Sequence, residues 1–211
     1  MAIDDLLDEH EQSERVLTWL RRNGAGLIGG VVLGLALIGG WQWWQGYRVS
    51  EGQKAGERYQ TALKTLQSKD LKKAQAEQGT LKDTAYGALF ALDLAKAQVD
   101  ANQRDAAIAT LRGVTTEDAG LQNILNQRLA RLLIDAGKAQ DALQALGSAD
   151  DVVSLEVRGD AQVALGKRDD ARKSYSDALT KLDVAAPQRG LLELKLTDVG
   201  GKPADKPEAR S

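Results

Sequence analysis

Residues 129–146 read LARLLIDAGKAQDALQAL: a leucine- and alanine-rich run into Gly137, then a second such run out of it. The pattern returns on both sides as LAKAQVDANQRDAAIATL at 94–111 and RGDAQVALGKRDDARKSY at 158–175. A fainter copy, ERYQTALKTLQSKDLKKA, occupies 57–74. One register links all four. A small residue recurs at Ala62, Ala95, Ala130 and Gly159, a turn residue follows seven positions later at Lys69, Asn102, Gly137 and Gly166, and alanine returns five further on at Ala74, Ala107, Ala142 and Ala171.

That spacing has a physical reading. Two antiparallel helices joined by a tight turn pack closely only where facing side chains are small, and the turn favours Gly or Asn, which tolerate positive φ. Leu111, Leu146 and Tyr175, four beyond the second alanine, are expected to fill the layer between units. One hairpin cannot bury its own apolar face, so such units stack. Steps of 33, 35 and 29 residues between units resemble the tetratricopeptide repeat (TPR), whose period is about 34 residues. The strong aromatic and proline positions of that repeat are missing, so the units are TPR-like; an alanine-rich helical bundle is the alternative. Beyond them, PQRGLLELKLTDVGG offers Pro187 at a helix start and Leu191, Leu192, Leu194 and Leu196 as apolar cover for the last unit. Residues 198–211 have no apolar periodicity and read as a disordered tail.

Ahead of the repeats, Gly26–Tyr47 reads GLIGGVVLGLALIGGWQWWQGY, within 25 uncharged residues between Arg22 and Arg48. About 20 helical residues cross a ~30 Å hydrocarbon core. The seven glycines from Gly24 to Gly40 would weaken a helix in water, whereas membrane helices tolerate them. A cleavable signal peptide fits poorly, since the preceding segment is acidic and no A-x-A site follows the apolar run. Trp41, Trp43, Trp44 and Tyr47 fit an aromatic belt at one interface and Trp19 at the other. Residues 23–47 are therefore expected to be a retained transmembrane helix in a lipid bilayer. Orientation is a tie by nearby charge: Arg15, Arg21 and Arg22 before the span, Arg48, Lys54 and Arg58 after it. In the preceding tail, residues 1–22, Ser13 is expected to cap a short amphipathic helix carrying Val16, Leu17 and Leu20. Gly26, Gly30 and Gly34 form a four-residue-spaced ridge that admits close approach by another helix, from a second copy (a homo-oligomer) or a different membrane protein.

The fold expected is all-α: one N-terminal transmembrane helix, a TPR-like hairpin solenoid over 48–197 and a C-terminal capping helix. Composition excludes much else. Residues 48–211 hold 25 basic and 24 acidic side chains, so there is no basic stripe for nucleic acid. With no cysteine and a single histidine, His10, nucleophile–base pairs and metal sites lack their materials. No cofactor fingerprint is present, and Asp150-Asp151 and Asp169-Asp170 sit where acids cap or start helices. The chain reads as a binding protein, not an enzyme.

The stretches EQSERVLTWLRRNG, TAYGALFALDLAKAQVD at 84–100, NQRLARLLIDAGKAQDAL at 126–143 and RGDAQVALGKRDDARKSYSDAL at 158–179, with the span among them, resemble the YfgM family, the ancillary subunits of the Sec translocon. The likeness runs to about Leu196. It implies a bacterial inner-membrane protein with its N-terminus in the cytoplasm and its body in the periplasm. The partners it implies are the SecYEG translocon and a membrane-anchored periplasmic chaperone of the peptidyl-prolyl isomerase class, with exported chains passed between them. A membrane-tethered TPR scaffold for another envelope assembly, such as cytochrome maturation, is the alternative. In TPR-like hairpins the first helix of each unit lines the inner face of the superhelix. Lys96, Arg131 and Asp160 share one register there, and Gln127 and Glu156 precede the last two by four. Lys96, Gln127, Arg131, Glu156 and Asp160 are thus the expected partner-binding strip.

Overall fold

The computed structural model describes residues 4–82 and 84–203, with side chains from residue 13 onward. The described residues form helices and no strand: α1 Asp4–Gln67, α2 Leu71–Leu81, α3 Gly87–Asp100, α4 Arg104–Arg112, α5 Ala119–Asp135, α6 Ala139–Leu146, α7 Val152–Ala164, α8 Arg168–Lys181 and α9 Arg189–Asp198. Two compact units divide the chain, one up to Lys54 and one from Ala55.

The first unit contains the apolar part of α1. It is the one helix among the described residues long and apolar enough to cross a membrane, and none of its most apolar window is buried. Trp41 and Trp44 lie with ring centroids 5.3 Å apart, Trp43 stacks on Tyr47 at 6.5 Å, and the Arg48 guanidinium sits 4.7 Å over the Trp44 ring. The first charge after the apolar run is thus held against an aromatic face. One expectation is corrected: no separate amphipathic helix starts at Ser13, because α1 already runs from Asp4. No proline interrupts this stretch, and an unbroken helix leaves no orphan backbone groups at the polarity change. The side chain of His10 lies outside the described residues.

In the second unit the four hairpins are the end of α1 with α2, then α3–α4, α5–α6 and α7–α8. Every turn residue picked out by the repeat has positive φ: Lys69 62°, Asn102 60°, Gly137 73° and Gly166 74°. Ala62, Ala74, Ala107, Ala130, Ala142 and Ala171 are fully buried, Ala95 nearly so, and Leu111, Leu146 and Tyr175 fill the layer as expected. Three apolar clusters follow along the stack: one around Phe90 and Leu94 where α1 meets α2 and α3, a large one from α3 to α7, and one joining α7, α8 and α9.

Lys69 alone among these turns combines positive φ with a long side chain. Left-handed backbone costs a non-glycine residue ~1–2 kcal/mol, against the ~0.5–1 kcal/mol entropic cost of a glycine. Lys69→Gly is therefore expected to stabilise the full chain by about 0.5 kcal/mol, read as a higher urea midpoint in detergent; a lower midpoint would contradict this turn geometry.

A second repeated feature is polar. Side chains twelve residues apart bridge the two helices of a hairpin: Thr65 Oγ1 to Glu77 Oε1 at 3.0 Å, Thr110 Oγ1 to Gln98 Oε1 at 2.8 Å, and Ser174 Oγ to Gln162 Oε1 at 2.7 Å. The third hairpin carries Leu133 and Ala145 at those positions. Each bond gives a polar side chain a partner across the interface and discourages register slips, although Glu77 Oε2 stays buried without one among the described residues.

The C-terminal end departs from expectation twice. Leu192 and Leu196 are buried, but Leu191 and Leu194 are more than half exposed, because α9 covers the last hairpin with one face only. The packed body also extends past residue 197. Val199 is buried, its carbonyl accepts from Arg172 Nε and Nη2, and Gly200 turns the chain at φ 83°. Of the expected tail, residues 204–211 lie outside the described residues.

Candidate functional site

The first helices α3, α5 and α7 lie side by side, α3 against α5 and α5 against α7. Taking Ala95, Ala130 and Gly159 as equivalent, the position six before each is Leu89, Ile124 and Val153, and these are 40%, 44% and 38% exposed. The position four after each is Val99, Ile134 and Val163, with Val99 and Val163 exposed. Large apolar side chains thus recur at both margins of the shared face, with the mixed-charge positions between them. The signal for these margins is present in the repeat register, at offsets of minus six and plus four from Ala95, Ala130 and Gly159.

The five strip residues differ in what they touch. Lys96 is solvent-exposed and pairs with Asp100 at 3.0 Å, an exposed pair of little energetic weight. Arg131 lies 3.7 Å from Glu156. Gln127 Nε2 donates to Asp151 Oδ1 at 3.0 Å and to Ser154 Oγ at 2.9 Å, so it ties α5 to the start of α7. Glu156 and Asp160 accept from Lys195 Nζ of α9, at 2.6 Å to Glu156 Oε1 and at 2.9 and 2.8 Å to the two Asp160 oxygens. Asp160 Oδ1 also accepts from the Tyr175 hydroxyl at 2.8 Å. Burial, then this hydrogen bond to a carboxylate, raises the Tyr175 phenol above its ordinary range and keeps it a donor. Lys96 and Arg131 therefore remain at the open part of the face, whereas Gln127, Glu156 and Asp160 have partners inside the fold.

Asp151 organises the α5–α7 junction. Its carboxylate caps α7 by accepting from the backbone N–H of Val153 and Ser154, both at 3.1 Å, and it also accepts from Asn123 Nδ2 at 2.7 Å. Desolvation pushes its pKa up, but the hydrogen bonds from Ser154, Asn123 and the backbone outweigh it and hold the group below the ordinary carboxylate range. A depressed native pKa stabilises the fold above the unfolded value of about 4 and loses that contribution as pH falls through the native value. Asp151→Ala is expected to cost about 2 kcal/mol at neutral pH, and the gap from wild type should narrow below about pH 4. Denaturation curves at pH 7 and pH 3 check it; a gap that widens in acid would be inconsistent with this role.

Between α3 and α5 the face opens into a cleft of ≈ 470 Å³, whose lining includes Leu92, Lys96, Val99, Ile124, Arg128 and Arg131. Arg128 is exposed and has no ion-pair or hydrogen-bond partner among the described residues. Among the described residues, no group of three acids or histidines is arranged to hold a metal ion.

A family model described as a tetratricopeptide repeat-like domain matches residues 18–201. The chain belongs to that family. As a tetratricopeptide repeat-like protein it is a scaffold and not an enzyme. It is similar to the protein named ancillary SecYEG translocon subunit in Escherichia coli strain K12, 29% identical over 200 residues that cover 91% of this chain and 97% of that protein. Proteins of the same name are 28% identical in Haemophilus influenzae, over 82% of this chain and 89% of the relative, and 28% identical in Aggregatibacter actinomycetemcomitans, over 92% and 98%. The likeness thus takes in the apolar segment together with the repeats.

Proposed function

We propose that this chain is an ancillary subunit of the SecYEG translocon, anchored in the bacterial inner membrane by residues 23–47. The observation that carries the reading is likeness along nearly the full length of relatives bearing that name, in three organisms. The N-terminal tail faces the cytoplasm and the repeat body the periplasm, where it links emerging chains to a membrane-anchored chaperone of the peptidyl-prolyl isomerase class. The open charged residues Lys96 and Arg131 serve as partner contacts on the inner face, and Gln127, Glu156 and Asp160 support that face from within. Gly26, Gly30 and Gly34 offer the membrane-embedded packing ridge. A side chain added at any of the three would meet nothing within 4 Å in this chain, so the ridge is open to another helix.

The experiment is affinity purification of the tagged full chain from membranes in mild detergent, with mass spectrometry of what accompanies it. Recovery of SecY, SecE and SecG with a periplasmic folding factor supports the reading. Recovery of a different envelope assembly without them overturns it. A reporter fused after Ser211 that is active only in the cytosol would overturn the orientation.

A further inference from the structure

We propose that the α3–α5 cleft seats one helical segment of a partner polypeptide, with apolar residues at i and i+7 and an acidic residue midway between them on the same face. The inference rests on the body being a protein-binding module and names the chemistry of what it binds. Leu92 and Val99 line one wall and are seven residues apart on α3, about 10.5 Å along the axis. Ile124 and Leu132 line the other, eight apart on α5, about 12 Å. Val99 and Ile124 are 40% and 44% exposed, so the cleft presents uncovered apolar surface at both ends.

Charge selects the occupant. Lys96 stands between the apolar pair of α3 and Arg128 midway between that of α5, with Arg131 beside Leu132, so three cations line the cleft. Arg128 has no partner among the described residues, Arg131 has only a carboxylate 3.7 Å away, and the Lys96 pair is exposed. Asp93 also lines the cleft but accepts from the Tyr59 hydroxyl at 3.3 Å. The surplus is positive, and a carboxylate arriving at the centre is met on both walls.

Spacing selects the conformation. On a guest helix, residues i and i+7 lie on one face about 10.5 Å apart, and i+3 and i+4 lie between them on that face. An extended segment covers the ~10.5 Å of the α3 wall in about three residues, an odd step that turns the second apolar side chain away from the cleft. A guest helix instead carries the apolar–acidic–apolar pattern on the one face it turns to that wall.

The test uses the full chain in lipid nanodiscs and three fluorescent helical peptides of about fifteen residues. One has Leu at i and i+7 with Glu at i+3 and i+4, one has Lys in place of both Glu, and one has the first composition scrambled. Anisotropy is expected to show the Glu peptide binding at least about tenfold tighter than the other two, and the variant Arg128→Glu with Arg131→Glu is expected to reverse the preference between Glu and Lys peptides. Equal binding of Glu and Lys peptides, equal binding of the scrambled peptide, or an unchanged preference in the variant would each overturn the proposal. Should circular dichroism show the double variant unfolded, Arg128→Gln, at an exposed position, supplies the same comparison through a reduced Glu preference. Translocon recovery is read separately. Its absence with the peptide preference intact sinks only the translocon reading, and its presence without the preference sinks only the cleft.

Discussion

Gly159→Ala is expected to destabilise the repeat body by about 3 kcal/mol, the upper end of what overpacking a core produces. A Cβ at Gly159 would fall 2.6 and 2.7 Å from Cδ1 and Cζ of the Tyr175 ring and nearer still to Cε1. The ring cannot swing aside: Tyr175 is 2% exposed and its hydroxyl is held by Asp160. The equivalent pairs in the two preceding hairpins are Ala95 with Leu111 and Ala130 with Leu146. The fourth unit thus combines the smallest first residue with the largest second one. Gly159→Ala with Tyr175→Leu restores the earlier combination and is expected to recover about 2 kcal/mol of the loss, a coupling typical of residues in contact. Denaturation of both variants in detergent measures it, and additive effects would contradict the size-compensation account.

Lys195→Ala is expected to free α9 from the solenoid. The Lys195 ammonium and its partners are largely sheltered, with side chains 23%, 17% and 24% exposed for Lys195, Glu156 and Asp160. Removing the cation leaves two neighbouring half-buried carboxylates facing one another, with only Arg131 at 3.7 Å and the Tyr175 hydroxyl to offset them. Breaking a buried pair costs ~3–5 kcal/mol; discounted for residual solvent, a loss of about 2–3 kcal/mol is expected here. Its signature is local. Amide exchange should rise first in α9 and at Leu155 and Tyr175 beneath it, while the α3–α5 region stays protected. Uniform loss of protection would show that α9 is not a separable cap.

Much of this architecture is readable from the linear chain because its determinants are local. A small residue, a turn residue and an alanine at offsets of seven and five specify a hairpin within eighteen residues, and all four turn positions adopt the positive φ that the pattern requires. The apolar stretch is likewise legible by length and composition. The start of α1 was not legible from Ser13, since a cap residue inside an uninterrupted helical stretch looks the same on paper as one at its beginning. The packed C-terminus was not legible either. Val199 has no periodic neighbours to mark it, and it is buried in the cluster joining α7, α8 and α9, with its carbonyl accepting from Arg172 of α8.

What the sequence determined by itself was the repeat, its turns and the long apolar helix ahead of it, because each rests on spacing and composition along the chain. What only the tertiary structure decided was the employment of the charges. Asp160 shares a register with the open Lys96 and Arg131, and Glu156 lies one turn before it, yet both are bound by Lys195, 35 and 39 residues away, because α9 folds back over the last hairpin. Register places a side chain on a face; the element that happens to cover that face settles whether it meets a partner protein or its own chain.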